Sequence, residues 1–349
     1  MRVFIAGATG VLGRRLVADL ADRGHAIVGL TRTDSGDELV RARGGDPRRG
    51  DVLDRDSLRD AAAGADAVVH AATAIPTARK PTDGDWERND RVRREGARNL
   101  TAVAADVGAD RFVQQSVVWV ARQPDGSRFD ETAKPNPDRT TQSALDAERI
   151  AREAAREAGF ETTVLRCGFF YAHDSAHTRT FGEELLAGNM PILGGGLLGR
   201  KDAELSVLHV DDAARAFAEA VESDSVGLYH VVDEEHVTTA DFIRAFADRL
   251  DAPEPRRVPV WLAKYLAGEA TVRLLTSPMP TTAERFRRDF DWEPRYPTYR
   301  EGLDAVVERW CGDGTVRETA AGYEWRGKAV RTSHGDGSRT DDSAEAAEP

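Results

Sequence analysis

The chain has 349 residues, enough for one large domain or two modest ones, and a formal net charge of −12. That acidic balance argues against a nucleic-acid surface, and no run of ~18 apolar residues is present to span a membrane. Two cysteines, Cys167 and Cys311, argue against a disulfide framework, and without HExxH, paired cysteines or clustered histidines no metal site is expected.

The basic residues are almost all arginine, with lysine only at Lys80, Lys134, Lys201, Lys264 and Lys328. An acid-rich, lysine-poor surface suits high salt and points to a halophilic source, a GC-rich genome being the plain alternative. No charged segment with an apolar stretch precedes the first strand, so no signal peptide is expected and a cytoplasmic location fits.

Val3 to Ala6 (VFIA) predicts a buried first strand. Gly7-Ala8-Thr9-Gly10-Val11-Leu12-Gly13 follows, and then Leu12, Leu16, Val17 and Leu20 recur at helical spacing until Gly24. A second strand is predicted over Ala26 to Leu30. Strand, glycine turn, helix and strand within about 30 residues is the pattern that seats a dinucleotide. Its pyrophosphate rests on backbone N–H groups at a helix N-terminus, where a side chain would block the approach. Gly7, Thr9, Gly10, Val11, Leu12 and Gly13 are therefore candidate cofactor residues, with Gly13 also allowing the helix to pack closely; a tight turn alone is the bland alternative. The spacing resembles the short-chain dehydrogenase/reductase superfamily, whose extended members carry TGxxGxxG here; Ala6 stands in place of the leading Thr.

An acidic residue at the end of the second strand would bind the adenosine ribose hydroxyls of NAD. Thr31 occupies that position and Arg32 follows, a guanidinium suited to a 2′-phosphate. Such a contact is worth ~1.5–3 kcal/mol, so NADP is the expected cofactor, with NAD the alternative and a solvated surface arginine the plain one. In Gly50-Asp51-Val52-Leu53-Asp54 the resemblance implies that Asp51, with Val52 beside it, closes over the adenine; Asp54 competes as a helix N-cap. Ala67 to Ala72 predicts a fourth strand, and Ala71, Ala72 and Thr73 at its end leave room for the nicotinamide ribose. His70 reads as a packed strand residue. A long helix is predicted from Asn89 to Asp106. Its Arg93-Arg94-Glu95-Gly96-Ala97-Arg98-Asn99-Leu100 resembles the REGTRNL helix of epimerase-like members, with Gly96 packed close to the sheet.

Arg111 to Val120 predicts the fifth strand. Ser116 matches the strand-end serine that polarises substrate in the superfamily, a structural serine being the alternative. The YxxxK pair should come next, the tyrosine transferring the proton and the lysine lowering its pKa. The matching frame, Thr140 to Glu148, keeps Ser143, Ala147 and Glu148, but has Thr140 for the tyrosine and Ala144 for the lysine; no Tyr-x-x-x-Lys occurs anywhere. This resembles the atypical branch, which keeps the fold and cofactor site without the dyad. Tyr171, His173 and Asp174 are candidate substitute acids.

Glu161 to Phe170 predicts a sixth strand, with Cys167 a small buried hydrophobe. Phe181 to Leu186 reads as helix, and Gly194-Gly195-Gly196 as a substrate-side loop. Leu205 to Asp212 is expected to return to the sheet. It resembles HVDDVA, in which the first Asp braces a loop and caps the helix Ala213 to Glu222; His209 is a strand residue. Gly227 to Val232 is another strand, and Thr238 with Asp241 opens a helix to about Leu250. Trp261 and Tyr265, one turn apart, are expected in the core rather than in a pocket. Phe290 to Pro294 resembles the LGW-P turn before a last helix, Thr298 to Trp310.

The expected fold is α/β, a Rossmann-like doubly wound parallel sheet with a smaller C-terminal substrate lobe. Residues 1–172 form the dinucleotide-binding domain, completed by about 205–232. Residues 173–204 and 233–310 form the lobe, and 311–349 are an extension, disordered from about Ser333. The resemblance implies an NADP-dependent oxidoreductase or sugar-nucleotide-modifying enzyme of a small molecule, the rival being a non-catalytic NADP-binding sensor or scaffold. A homo-oligomer is compatible with either.

Overall fold

A computed structural model describes residues 1–77, 81–194, 202–320 and 322–327. The first half alternates strand and helix: β1 (Arg2–Ala6), α1 (Gly13–Asp22), β2 (Ala26–Thr31), α2 (Asp34–Arg41), β3 (Asp46–Arg49), α3 (Arg55–Ala61), β4 (Ala67–His70), α4 (Asp83–Val107), β5 (Arg111–Val117), α5 (Gln142–Ala158) and β6 (Glu161–Cys167). Shorter strands then enter: β7 (Phe169–Tyr171), α6 (Ala176–Leu186), β8 (Ile192–Leu193), β9 (Glu204–Leu205), β10 (Val207–His209), α7 (Val210–Glu222) and β11 (Gly227–Val231). The remainder is β12 (Val237–Thr238), α8 (Thr239–Arg249), β13 (Arg257–Val258), α9 (Val260–Ala267), α10 (Glu269–Thr276), α11 (Glu284–Phe290), α12 (Tyr299–Gly312), β14 (Val316–Thr319) and β15 (Gly322–Trp325).

Seven strands form one sheet in the order β11-β6-β5-β4-β1-β2-β3, every pair parallel. Helices cover both faces, which is why VFIA and AVV are apolar throughout rather than alternating; all of Val3–Ala6 and Ala67–His70 are buried. One core lies between the sheet and α1 and α7, the other under α3 and α4. The strand order reverses between β1 and β4, so the crevice where such sheets bind ligands opens at their carboxyl ends.

Several elements differ from expectation. α4 begins at Asp83, not Asn89, because Thr82 and Asp85 form a reciprocal capping box. β5 stops at Val117 and a 3₁₀ turn takes Val118–Ala121. The run Glu161 to Phe170 is two strands, broken at Gly168, where a Cβ would stand 2.7 Å from the Ser206 carbonyl oxygen. Beyond the break β7 pairs with β10, so Val207–His209 does not return to the main sheet as expected; only β11 does. Trp261 and Tyr265 are not in the core: they are 73% and 78% exposed. The extension after Cys311 carries the hairpin β14–β15, and Trp325 meets Trp310 edge-on at 5.1 Å. Gly195, Gly196 and the segment from Ser333 lie outside the described residues. Among the described residues no helix is long and apolar enough to cross a membrane.

Candidate functional site

The glycine turn joins β1 to α1 at the crevice. Gly7 has φ +95°, and a Cβ on it would stand 2.6 Å from the Ala71 backbone carbon. A Cβ on Gly13 would stand 2.0 Å from the Gly7 carbonyl oxygen. These two glycines are required by the turn and by its closeness to the end of β4. Gly10 is different: its N–H donates to the Gly7 carbonyl at 2.9 Å, and a Cβ there would meet only that oxygen, at 3.2 Å. Thr9 and Gly10 face solvent. The backbone N–H groups of Val11 and Leu12 have no acceptor among the described residues, and α1 lacks a side-chain cap. Unmet donors at the positive end of a helix, beside a glycine with open space, fit a pyrophosphate.

At the expected adenosine end, Arg32 is exposed and has no ion-pair partner among the described residues. The Thr31 hydroxyl donates to Asp37, which also accepts from Arg49 Nε at 3.0 Å; Arg49 in turn holds Asp34. The carboxylates nearest the end of β2 are thus already engaged. Thr33 caps α2 by accepting from Gly36 N at 3.1 Å. A Cβ on Gly36 would lie 3.2 Å from Thr9 Cγ2, so α2 rests on the glycine turn. Asp51 Oδ1 accepts from Leu53 N at 2.9 Å, and the Val52 carbonyl accepts from Asn99 Nδ2 at 2.9 Å. Asp54 caps α3. After β4, Ala71 is buried, Ala72 half-buried and Thr73 exposed. The Ala74 N–H donates to Asn89 Oδ1 at 3.0 Å, which fastens this loop to α4.

The expected catalytic positions are occupied in an unexpected way. Ser116 Oγ donates to Glu148 Oε1 at 2.5 Å, and Arg166 holds both Glu148 oxygens at 2.8 and 2.7 Å. All three residues are at most 2% exposed, so the one hydrogen Ser116 could offer a substrate is committed to a buried ion pair. Thr140 Oγ1 donates to Asp138 Oδ1 at 2.7 Å. Ala144 packs with Val117 and Val120, against Trp119 and Leu145. A small apolar cluster thus surrounds the position expected for the dyad's lysine.

Of the three substitute acids, Tyr171 is sealed in the core, where its hydroxyl donates to Asp233 Oδ2 at 2.8 Å. Burial and the adjacent carboxylate push its pKa well above the ordinary phenol value, so it is removed from the candidates. Burial would raise the pKa of Asp174, but Arg15 and Arg14 outweigh it and hold it below the carboxylate range; the Arg14 pair is 2.6 Å. His173 is half-buried, its pKa lowered by burial, and its carbonyl accepts from Trp310 Nε1 at 2.6 Å. Arg14 and Arg15 were not singled out from the sequence, where they look like ordinary surface cations of α1. Asp174 and, for Arg15, Asp211 tie them to the segments after β7 and β10.

His70 is buried beside α4, its Nδ1 3.0 Å from Gln114 Oε1, and burial lowers its pKa to about 4. Cys167 is buried and its thiol pKa is pushed up by desolvation. In the HVDD segment the roles differ from the expected ones. The second carboxylate, Asp212, accepts from Arg295 N and Tyr296 N at 2.5 and 2.9 Å, while the His209 ring caps α7. A groove of about 730 Å³ runs between α4 and the start of α5, lined mostly by charged residues such as Arg91, Arg94 and Asp138. Among the described residues no group of three or more His, Cys, Asp or Glu could hold a metal.

Residues 3–232 match the model of the NAD dependent epimerase/dehydratase family. A 3-diazoavenalumate denitrifying reductase from Streptomyces sp is 35% identical over 318 residues, covering 87% of this chain and 99% of that protein. Among solved structures, a Thermus thermophilus UDP-glucose 4-epimerase in complex with NAD superposes with a TM-score of 0.73 at 23% identity, covering 89% of this chain and 99% of that one. A human epimerase family protein with NADPH superposes with a TM-score of 0.72 at 18% identity, covering 88% and 99%.

Proposed function

Given that the chain belongs to the NAD dependent epimerase/dehydratase family, we propose that it is an NADPH-dependent reductase whose small-molecule substrate takes up hydride without a proton from the enzyme. The observation that supports this reading is that Ala144, at the position where the sequence frame expects the dyad's lysine, packs on Val117 and Val120. Reducing a carbonyl leaves an oxyanion that a general acid must meet, and epimerising a sugar nucleotide makes the same demand. A carbon bearing a diazonium group makes no such demand. Hydride forms the new C–H bond, the C–N bond breaks, and its electron pair leaves with dinitrogen. The name of the Streptomyces relative, a denitrifying reductase of a diazo compound, supports this substrate type.

In this reading the N–H groups of Val11 and Leu12, with Gly7, Thr9, Gly10 and Gly13, hold the pyrophosphate. Arg32 takes the 2′-phosphate, Asp51 and Val52 border the adenine, and Ala71, Ala72 and Thr73 border the nicotinamide ribose. Bound there, the nicotinamide supplies hydride.

The test follows NADPH absorbance and dinitrogen release with an arenediazonium salt, beside a carbonyl panel. NADPH loss and dinitrogen should match one for one, above the protein-free rate and faster than with NADH. Arg32→Ala should weaken NADPH by about 10- to 100-fold and leave NADH nearly unchanged. Turnover of carbonyls but not of the diazonium salt would sink the proton-free chemistry. NADPH binding with no turnover of either would favour a cofactor-holding sensor.

A further inference from the structure

Three arginines are buried among the described residues: Arg93, Arg122 and Arg166. Arg166 is paired with Glu148 and Arg122 with Asp138. Arg93, 7% exposed, has no carboxylate partner among the described residues. Its single hydrogen bond there runs from Nη1 to the Thr140 carbonyl at 3.3 Å. The two carboxylates whose charge acts on it also serve other cations: Asp90 Oδ2 pairs with Arg139 at 2.5 Å, leaving Oδ1 buried without a hydrogen bond, and Glu148 pairs with Arg166 at 2.7 Å. Burial lowers the Arg93 pKa to about 10, with Asp90 and Glu148 opposing; at neutral pH it stays charged. A buried cation without a counterion is costly unless something else supplies one.

Its position says what that something is. One turn C-terminal on α4, a Cβ on Gly96 would stand 3.2 Å from the His70 ring. One turn N-terminal, Asn89 holds the loop after β4. Arg93 therefore sits at the sheet's carboxyl edge, between the end of β4 and the first turn of α5, which is where Thr140 and Ala144 replace the dyad. Three more buried groups flank it without partners: the donors Asn89 Nδ2 and Ser143 Oγ, both on residues 0% exposed, and one acceptor, Asp90 Oδ1. The remaining Arg93 nitrogens make no hydrogen bond among the described residues, and unlike Arg166 Nη1 they are not sealed from solvent. A guanidinium, an amide NH₂ and a hydroxyl can all donate, a set that suits an anion with two oxygens.

We propose that Arg93, flanked by Asn89 and Ser143, is the substrate-recognition group of this site and binds a carboxylate on the substrate. The inference rests on the reductase reading for its place beside the cofactor. It makes Arg93 a specificity-determining residue: an acid is selected over its neutral ester because only the acid supplies the missing counterion.

The experiment uses the full chain with saturating NADPH and, separately, without it. The probes are 4-hydroxycinnamate and its methyl ester, titrated calorimetrically. The wild type should bind the acid at least tenfold more tightly than the ester. Arg93→Gln should abolish that preference while NADPH affinity stays within about twofold, and Arg93→Lys should restore part of it. Equal affinity of the wild type for acid and ester overturns the proposal without using any variant. Loss of NADPH binding in Arg93→Gln, with the acid preference kept, assigns Arg93 to the cofactor and also overturns it. A wild type that prefers the acid but takes up no NADPH keeps the anion site and fells the reductase reading instead.

Discussion

Ser116 is where the structure most changes the meaning of a residue. Its hydroxyl donates to Glu148, and Glu148 spends both oxygens on Arg166, all three being buried. Removing one hydrogen bond to a buried charge costs about 1.5–3 kcal/mol. Ser116→Ala should therefore lower the unfolding free energy from urea titration by about that amount, with a lower midpoint, while leaving NADPH affinity and turnover per folded molecule near wild type. A large loss of turnover at unchanged stability would return the residue to catalysis. Arg93 shows the opposite difficulty. In the sequence it is one of several arginines between Arg88 and Arg98, and residue type alone does not say which of them turns inward. The helical stripe through Asn89, Arg93, Gly96 and Leu100 carries that information, because a polar residue on a buried stripe needs a partner.

At the scale of elements, the first strand, glycine turn, helix and second strand are legible because each is specified locally. VFIA, the glycines at 7, 10 and 13, and the stripe Leu16, Val17 and Leu20 all agree on one structure. The misreadings arise where distant backbone decides. The break at Gly168 is set by Ser206, almost forty residues on, and the run ETTVLRCGFF carries no trace of it. Trp261 and Tyr265 read as core because apolar spacing reports a face and not what covers it. α12 offers a direct test of such long-range fitting. A Cβ on Gly302 would stand 2.1 Å from Tyr171 Oη, whereas one on Gly312 of the same helix would meet nothing within 4 Å. Gly302→Ala should cost about 1–3 kcal/mol by overpacking. Gly312→Ala should be neutral or stabilise by up to about 1 kcal/mol. Thermal melts of the two variants separate the cases, and equal shifts would mean that α12 does not press on Tyr171.

At the scale of the molecule, three histidines that are buried among the described residues oppose acid. His70 and His209 are lowered to about 4 and His230 to about 3, burial being the first cause in each. The unfolded chain takes up these protons near pH 6.5 and the fold resists them. Their contribution is therefore complete above about pH 6.5 and is lost as pH falls toward 4. Burial holds the Asp233 carboxyl well above its ordinary value; it acts with the opposite sign, its contribution lost as pH rises through that raised value. Comparison with His70→Asn isolates the histidine: between pH 6.5 and 4.5 the wild-type urea midpoint should fall more steeply than the variant's, and parallel curves would mean that His70 is not held neutral.

The clamp on α1 has a consequence for how the molecule meets dissolved ions. Arg14 and Arg15 stand next to the glycine turn, yet Asp174 holds both and Asp211 also holds Arg15. The anion-binding end of α1 then acts through fixed peptide dipoles, whose reach ends within about one turn. In the proposed reading the charge that meets the adenosine end is Arg32, which has no ion-pair partner among the described residues. Under that reading ionic strength should act on the two dinucleotides unequally. In molar electrolyte the Debye length shrinks to about 3 Å, and long-range attraction of the 2′-phosphate disappears while short hydrogen bonds to the pyrophosphate persist. The choice between phosphorylated and unphosphorylated dinucleotide is then a quantity that the surrounding medium sets together with the fold.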